Sequence, residues 1–348
     1  MKENTFNKGI MTLMLLMLIC FVSCKEDEDF QQTDVVINLT KAGTLPNKIS
    51  QNKMYHQITS LKIVGEINGT DLCFIRDASR FSNTLSILDL SEARIVEGGK
   101  AYCREGDNYY YTSNNKLGDY IFDACSPLKN IYIPLSVTEI GKYAFWGCDS
   151  LTSIYIPSSV AKIGEWAFRY CESLTSITIS SDVTDIGKYA FCDCSSLKSV
   201  SISTGVTEIK EGTFSDCSSL KSVEIPSSVT KIGDIAFDGC NSLSSIRIPS
   251  SVTSIGCQAF QNCKSLNLIY VYAKKVPSTG LNSPYRIASF GGCDSKNCFV
   301  YVPKGTYDAY KRSEFGYFEH IIEFDANSMH KTIATAEVKD TSSCVMKK

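Results

Sequence analysis

Seven cysteines recur in this chain at a constant interval of 23 residues. They are Cys125, Cys148, Cys171, Cys194, Cys217, Cys240 and Cys263. Self-similarity at a fixed period of about 20 to 50 residues is typical of repeat architectures, in which each period is one unit stacked on the next. Packing therefore explains the placement of these cysteines first, and any redox or metal chemistry needs separate support.

Other residue types keep this period and indicate the local structure of one unit. A phenylalanine precedes each cysteine by three residues and a leucine follows it by three, within the consensus CxSLxxIxIPxxVxxIGxxAFxx. The alternation in L-x-x-I-x-I predicts a strand with inward apolar side chains. The proline after it ends the strand, because proline has no N–H to donate. V-x-x-I-G predicts a second short strand, and A-F-x-x-C predicts one helical turn.

The residue before the cysteine is suited to a left-handed backbone conformation. It is glycine, aspartate or asparagine in most units, at Gly147, Asp193, Asp216, Gly239 and Asn262. One such unit cannot fold alone. It buries about eight apolar side chains worth roughly 1.5–3 kcal/mol each, whereas ordering its backbone costs about 1–2 kcal/mol per residue. Stacked neighbours must cover each other, so the sequence predicts a repeat solenoid with caps at both ends.

The unit resembles the BspA-like leucine-rich repeat, found in surface proteins of anaerobic Gram-negative bacteria and of some protists. The resemblance covers residues 116–310 and implies a β-rich right-handed coil with short helical turns. Four residues depart from the pattern in the middle repeats. Lys210 replaces the glycine, Thr213 the alanine, and Ser180 and Ser203 the proline. We therefore expect a local change in these turns.

The N-terminal 24 residues are expected to be a lipoprotein signal peptide. Lys2 and Lys8 flank the start of an apolar stretch, residues 10–22, that is too short to span a bilayer comfortably. Residues 21–24, Phe-Val-Ser-Cys, resemble a bacterial lipobox, which implies lipidation of Cys24. The acidic linker at 25–35 resembles the export signal of Bacteroides-type surface lipoproteins. We expect an outer-membrane lipoprotein exposed on the cell surface and attached to the membrane through Cys24.

Three further segments follow. Residues 36–115 are predicted to be an N-terminal capping region with irregular repeats and a tyrosine-rich loop. Residues 116–325 are predicted to contain the repeats and a C-terminal cap with a closing strand at 300–303 and a short helix at 307–310. An insertion around 278–288 explains why Cys293 follows Cys263 by 30 residues. Residues 326–348 are predicted to be a loosely ordered tail.

The sequence argues against several kinds of chemistry. A net charge of −2 without a basic cluster gives no reason to expect nucleic acid. No cofactor or metal site is expected, because the chain has no C-x-x-C pair and the Cys192 and Cys194 sulfurs should diverge. No catalytic residue is assigned, since residues 125–263 contain no histidine and no hydrolase or phosphate-loop motif occurs. The periodic cysteines are expected to be buried thiols, while Cys293–Cys298 and Cys73–Cys103 bridges stay open alternatives.

Binding is therefore the favoured class of function, because a solenoid presents a row of outward side chains on a continuous sheet. We call the outward positions of the first strands the sheet row and expect them to line the concave side, either as a ligand-binding face or as plain solvent-facing sheet surface: Tyr132, Tyr155, Thr178, Ser201, Glu224, Arg247 and Tyr270. Within it, Tyr132 and Tyr155 should stack, and Glu224 and Arg247 could pair. A second aromatic group lies on the turn side, where it either packs between the turns or forms a further binding site: Tyr143, Trp146, Trp166, Tyr170 and Tyr189.

Two functions fit these features. The first is protein–protein interaction or adhesion to host or neighbouring cells. The alternative is a glycan-binding surface lipoprotein of a polysaccharide uptake system.

Overall fold

The computed structural model describes residues 33–50, 57–82, 84–282 and 287–325. The predicted signal peptide with Cys24 and the predicted tail lie outside these residues, so what is expected of them stays a prediction. Most of the described chain consists of stacked coils, each contributing a first strand and, in the regular repeats, a shorter second strand. Every strand pair between coils is parallel. The predicted leucine-rich-repeat fold is thus confirmed.

The first strands form one series along the chain, which in the regular repeats follows L-x-x-I-x-I in the sequence. They are β3 (Ile87–Asp89), β8 (Asn130–Tyr132), β10 (Ser153–Tyr155), β12 (Ser176–Thr178), β14 (Ser199–Ser201), β16 (Ser222–Glu224), β18 (Ser245–Ile248), β20 (Leu268–Val271), β21 (Phe299–Pro303) and β22 (His320–Phe324). The second strands are β7 (Lys116–Leu117), β9 (Glu139–Ile140), β11 (Lys162–Ile163), β13 (Asp185–Ile186), β15 (Glu208–Ile209), β17 (Lys231–Ile232) and β19 (Ser254–Ile255).

The N-terminal cap extends the same stack. Its strands are β1 (Thr33–Leu39), β2 (Ile58–Ile67) and β4 (Ala93–Ile95), and its helices are α1 (Leu45–Ser50) and α2 (Gly69–Ser82). Strand β1 begins inside the segment predicted to be a linker. The predicted tyrosine-rich loop is an antiparallel hairpin of β5 (Gly98–Glu105) and β6 (Asn108–Thr112). At the other end, β21, the short helix α3 (Tyr307–Lys311) and a further strand, β22, close the array.

The first strands form two sheets. One runs in the order β1-β2-β3-β8-β10-β12-β14-β16, with β4 paired to β2, and the other in the order β18-β20-β21-β22. At the junction, the Ser244 N–H donates to the Lys221 carbonyl at 3.4 Å, whereas the equivalent bond one coil later measures 3.0 Å. The second strands also form two sheets, β7-β9-β11-β13 and β15-β17-β19.

Periodic side chains stack into columns that form the core. Successive phenylalanines from Phe122 to Phe290 lie 5.1–5.6 Å apart between ring centroids and are fully or almost fully buried. Offset aromatic stacking contributes about 0.5–1.5 kcal/mol per pair beyond the buried area. The column ends where Phe315 and Phe318 pack on Phe290 at interplanar angles of 52° and 75°. The C-terminal cap therefore covers the last open ring face.

The A-F-x-x-C segments are turns, and the prediction of a helical turn is wrong. Their N–H groups alternate between bonds within the coil and bonds to the next coil: Phe145 N–H donates to the Ala167 carbonyl at 2.8 Å and Cys148 N–H to the Phe145 carbonyl at 3.2 Å. A helix would require i to i−4 bonds throughout. The segment instead holds two residues with positive φ, such as Tyr143 and Gly147 at 55° and 67°.

Of the four departures in the middle repeats, Lys210 coincides with a local change, whereas the turns at Ser180 and Ser203 keep the hydrogen bond of the proline-containing coils, at 3.1 Å. A Cβ atom added at Gly164 or Gly187 would lie 2.4–2.5 Å from backbone atoms of the preceding coil, so these glycines permit close approach. Their N–H groups donate to Ile140 and Ile163 carbonyls at 2.8 Å. Lys210 carries a Cβ at the equivalent place, and the second-strand sheet is interrupted there, between β13 and β15.

Candidate ligand-binding surfaces

The sheet row lies on the outward face of the first strands, as predicted. Tyr132, Tyr155, Thr178, Ser201 and Glu224 are direct partners across β8 to β16, each flanked by buried isoleucine or valine. Arg247 and Tyr270 are partners across β18 and β20. All are exposed except Tyr270, which is half-buried. The period of two in the strand fixes this orientation.

Tyr132 and Tyr155 are the largest uncovered side chains of the row, 49% and 57% exposed. The prediction that their rings stack is wrong: within the described residues, neither ring contacts another aromatic ring. Asp89, on the N-terminal side of Tyr132, extends the row and forms an ion pair with Lys62 at 3.5 Å. The two tyrosines thus form an uncovered apolar pair beside charged residues.

The C-terminal end of the row is a second aromatic cluster that sequence reasoning found only in part. Tyr270 stacks on Tyr301 at 4.8 Å, and Arg247 lies over the Tyr270 ring at 5.8 Å. Burial, and then the charge of Tyr301, raise the pKa of Tyr270. Arg247 and Glu224 do not form an ion pair in the described chain, so that expectation is wrong. The two residues lie on either side of the junction between β16 and β18.

The turn side carries a continuous aromatic column, the turn ladder, made of Tyr110, Tyr120, Tyr143, Trp166 and Tyr189. Tyr110 of the hairpin tilts against Tyr120 at 5.1 Å, and the later rings stack at 4.7, 6.2 and 4.1 Å with interplanar angles of 5–8°. The tyrosine-rich hairpin therefore joins this column and not the sheet row. Because neighbouring rings cover each other's faces, the ladder presents ring edges to solvent.

The ladder ends at the coil containing Gly212. A Cβ atom added there would lie 2.2 Å from the Tyr189 ring, so Tyr189 packs directly on the Gly212 backbone. The Tyr189 hydroxyl donates to Glu211 Oε1 at 2.6 Å, and burial raises its pKa to about 12. Beside the ladder, the Arg169 guanidinium lies 4.5 Å from the Trp166 ring and 4.4 Å from the Tyr170 ring. These contacts favour the packing interpretation of the turn-side aromatics.

Comparison with known proteins agrees with this geometry. A family model for the BspA type leucine rich repeat region, with six copies, matches residues 115–243, 184–283 and 235–339. These spans together cover more than half of the chain. The protein belongs to the BspA-type leucine-rich-repeat family. Repeat proteins of this family are typically non-enzymatic binding proteins.

Three solved structures illustrate the similarity. A leucine-rich repeat protein from Bacteroides ovatus is 24% identical over 78% of this chain and 73% of its own, with a TM-score of 0.46. A leucine rich cell surface protein from Faecalibacterium prausnitzii is 24% identical over 66% and 87%, with a TM-score of 0.33. The pneumococcal vaccine antigen PcpA is 16% identical over 77% and 80%, with a TM-score of 0.34. No curated protein matches the chain significantly.

The cysteines of the BspA-type repeats are buried thiols, as predicted. Each from Cys148 to Cys263 donates its S–H to the carbonyl of a phenylalanine 26 residues earlier, at 3.1–3.3 Å. Cys293 makes the same bond to Phe260 at 3.2 Å, so it continues the column of buried thiols, the thiol ladder, although it lies outside the 23-residue period. None of the described cysteines forms a disulfide, so the Cys73–Cys103 and Cys293–Cys298 bridges are absent there. Sequence spacing located these thiols but not their hydrogen bonds.

One cluster of described side chains consists of residue types that can ligate a metal ion. Cys192 Sγ and carboxylate oxygens of Asp193 and Asp216 lie within 4.8 Å of one another. Cys192 is buried, although its position next to the inward Cys194 favours the surface. Its S–H donates to Asp193 Oδ2 at 3.2 Å, burial raises its pKa to about 12, and Arg169 pairs with the same carboxylate at 3.1 Å. A cation would have to displace both the thiol proton and Arg169, so we interpret the group as an ionic network.

The remaining predictions concern membrane attachment and catalysis. Cys24, the predicted lipidation site of this BspA-type protein, lies outside the described residues. Among the helices that the structure describes, none has the length and apolarity needed to cross a bilayer. His56 and His330 are likewise outside the described residues, and His320 is exposed and stacks on Phe299 at 4.7 Å.

Proposed function

We propose that this BspA-type protein is a lipid-anchored cell-surface protein whose sheet row binds another protein, for adhesion to host or neighbouring cells. The observation that carries the proposal is the pair Tyr132 and Tyr155, about half exposed and adjacent in register. Tyrosine is enriched at binding hot spots because it offers apolar area, a polar tip and few rotatable bonds. The flanking buried strands hold both backbones rigidly, which lowers the entropic cost of binding.

The second cluster of the sheet row supports a protein ligand. Arg247, Tyr270 and Tyr301 lie on β18, β20 and β21, separated from the tyrosine pair by Thr178, Ser201 and Glu224. Arginine and tyrosine are among the residue types enriched in interface hot spots. Two such clusters on one face suit an extended protein surface better than a small ligand.

The glycan alternative has one specific observation in its favour. The rings of Tyr132 and Tyr155 have no aromatic neighbour within the described residues, so their faces can stack on a sugar ring. The turn ladder cannot do so, because its faces are covered by neighbouring rings. A sugar ligand of the protein is therefore expected on the sheet row and not on the turn side.

The binding test uses the mature chain on an extracellular-matrix protein panel and on a glycan array. Substituting Tyr132→Ser together with Tyr155→Ser should weaken binding at least tenfold, because truncating a hot-spot residue costs about 2 kcal/mol or more. Tyr109→Ser with Tyr111→Ser is the matched control, since these hairpin tyrosines are 55% and 59% exposed and lie off the row. If both double variants bound the ligand with the same affinity, the sheet row would be excluded as the binding site. Binding on the glycan array alone would favour the alternative.

Surface attachment is tested in intact cells. Metabolic labelling with an alkyne fatty acid should label the wild-type protein and not Cys24→Ala, because the acyl chains attach through this cysteine. Added protease should cleave the protein on intact cells. Persistent label on Cys24→Ala would contradict the anchor, and an uncut protein would contradict surface exposure.

A further inference from the structure

The insertion that breaks the 23-residue period forms one wall of a groove. Cys263 and Cys293 are separated by 30 residues, and the extra chain follows β20. The groove has a volume of about 830 Å³ and lies between residues 273–281, residues 250–253 of the preceding coil and residues 309–314 of the C-terminal cap. Small-ligand sites typically have volumes of about 300–1,000 Å³. Insertions in repeat proteins often carry binding functions.

The groove is lined by three basic side chains, Lys274, Lys275 and Arg312, all exposed. None of the three pairs with an acidic residue in the described part of the chain. In the regular coils, by contrast, lysines pair with acids of the neighbouring coil, as in Lys142–Glu165 at 2.9 Å and Lys231–Glu208 at 2.8 Å. Among the described lining residues, these three cations face a single acid, Glu314, so the groove carries net positive charge.

Glu314 lines the same groove and is only 8% exposed. Its Oε1 accepts the backbone N–H groups of Ser289 and Phe290, the latter at 3.2 Å, and so holds the end of the insertion in place. Its Oε2 is buried and has no hydrogen-bond partner in the described structure. A buried, unpartnered carboxylate oxygen is unfavourable by more than the ~1–3 kcal/mol of a neutral group. A ligand hydroxyl would supply the missing donor.

We propose that this groove binds an acidic saccharide, with its carboxylate or sulfate on Lys274, Lys275 and Arg312 and a hydroxyl donating to Glu314 Oε2. Hydroxyl groups of Ser250, Thr253 and Ser278 also line the groove and match a hydroxyl-rich ligand. No aromatic ring is among the described lining residues, so a neutral sugar would lack stacking and the acid group supplies most of the affinity. The site shares no residue with the sheet row and stands independently of the function proposed there.

The test is isothermal titration calorimetry of the mature chain with named probes. These are a galacturonate tetrasaccharide, a heparin-derived tetrasaccharide, neutral maltotetraose and a glutamate hexapeptide. We expect at least one acidic saccharide to bind at least tenfold more tightly than maltotetraose and the peptide, and to bind more weakly as salt rises. Tight binding of the peptide or of maltotetraose alone, or no binding of either acidic saccharide, would overturn the proposal.

Variants locate the site. Lys274→Ser with Lys275→Ser should weaken saccharide binding at least tenfold, since each lost charge-assisted hydrogen bond is worth roughly tenfold or more. Lys198→Ser with Lys221→Ser removes the same charge at exposed positions outside the groove and should leave affinity within twofold. If both double lysine variants weakened saccharide binding equally, the attraction would be nonspecific and the groove would not be the binding site. Unchanged affinity in Tyr132→Ser/Tyr155→Ser would separate this site from the sheet row.

Glu314→Gln tests the hydrogen bond in the groove. It keeps the Oε1 acceptor and the side-chain size but replaces Oε2 with an amide donor, so saccharide affinity should fall about tenfold. Circular dichroism checks that the variant is folded. Wild-type affinity in a folded Glu314→Gln variant would show that Glu314 is not part of the site. If this variant does not fold, the affinity of the Lys274→Ser/Lys275→Ser variant tests the proposal instead.

Discussion

At the scale of single residues, left-handed backbone conformations are occupied by bulky side chains. Tyr120, Tyr143, Trp166 and Tyr189 have φ values of 55–60° at one column of the turns. Left-handed geometry costs roughly 1–2 kcal/mol for a residue other than glycine. Each stacked ring pair returns about 0.5–1.5 kcal/mol. Stacking therefore offsets most of this strain, which explains why aromatics are accepted where later coils have Gly212 or Gln258.

Ile235 occupies the same column without any ring to stack on, at φ 47°. A β-branched residue is especially unfavourable there. Ile235→Asn should raise the free energy of unfolding by about 0.5–1 kcal/mol, because asparagine tolerates this conformation. Guanidinium unfolding measures the free energy of unfolding. Ile235→Val is the control, because valine keeps the β-branched side chain and should not raise this free energy.

The converse holds for Trp166, whose ring stacks on both neighbours and under Arg169. Trp166→Asn should lower the free energy of unfolding by about 1–2 kcal/mol, since two stacking pairs are lost while the strain is relieved. A loss of stability in Ile235→Asn, or a gain in Trp166→Asn, would contradict this account of strain offset by stacking.

Sequence periodicity predicts residue positions well and residue conformations less well. Glycine, aspartate and asparagine before the cysteine marked one left-handed column, and the structure confirms it at Gly147, Asp193, Asp216, Gly239 and Asn262. The second column was missed because aromatics at Tyr143 and Trp166 give no left-handed signal. Likewise, the spacing of the cysteines does not reveal that their S–H groups donate to phenylalanine carbonyls.

At the scale of elements, the N-terminal cap is joined to the repeats by a buried ion-pair group. Helix α2 contributes Arg76 and Arg80, which contact the two carboxylate oxygens of Asp123 at 2.6 and 2.7 Å. Arg76 and Asp123 are each 8% exposed. The hydrogen bond and charge of Asp123 raise the pKa of Arg76 even though burial, the largest effect, acts to lower it. Removing the carboxylate would leave a buried cation without a partner.

Asp123→Ala should therefore lower the free energy of unfolding by about 3–5 kcal/mol. Glu139→Ala removes an exposed carboxylate that pairs with Lys116 and Lys162, and should cost less than about 1 kcal/mol. Chemical unfolding of both variants makes the comparison. Similar losses in the two would show that Asp123 does not anchor the cap.

Helix α2 has no counterpart in the predicted elements, although the sequence contains a signal for it. Asn68 and Asp71 form a capping box: Asn68 Oδ1 accepts the Thr70 N–H and Asp71 Oδ2 accepts the Asn68 N–H, both at 3.0 Å. The repeat pattern masks this signal, because residues 61–63 and 85–90 on either side fit irregular coils. The A-F-x-x-C turns were misjudged for a different reason. Their hydrogen bonds run to the next coil, which no single unit reveals.

At the scale of the whole array, sequence predicts the sheet row and cannot predict the groove. The row follows from a period of two within each strand and 23 between strands, so Tyr132 and Tyr155 were located in advance. The groove depends on a break in the period. Glu314 and Arg312 meet the inserted Lys274 and Lys275 only because the C-terminal cap folds against the last coils. Such long-range contacts leave no local pattern.

The thiol ladder couples the stability of the array to pH. Burial raises the pKa of eight stacked thiols above its ordinary value, to about 12 at Cys125 and Cys293 and well above 9 at the six between. In the unfolded chain a thiol titrates near pH 8.5. Above that pH the unfolded state loses protons that the folded state keeps, so the stabilising contribution is complete below about pH 8.5 and falls as pH rises toward the folded-state pKa.

Each thiol should lower the free energy of unfolding by about 1.4 kcal/mol per pH unit above pH 8.5, and eight together by roughly 10 kcal/mol per unit. Total stabilities of about 5–15 kcal/mol are usual, so we expect cooperative unfolding within one or two units. Guanidinium unfolding under reducing conditions between pH 7.5 and 10 measures the slope. Replacing Cys171, Cys194, Cys217 and Cys240 with serine keeps a donor for each carbonyl but removes four titrating groups, so the slope should become less steep by about 5–6 kcal/mol per pH unit. Stability that stays flat to pH 10, or a full slope in the serine variant, would show that the ladder does not control alkaline unfolding.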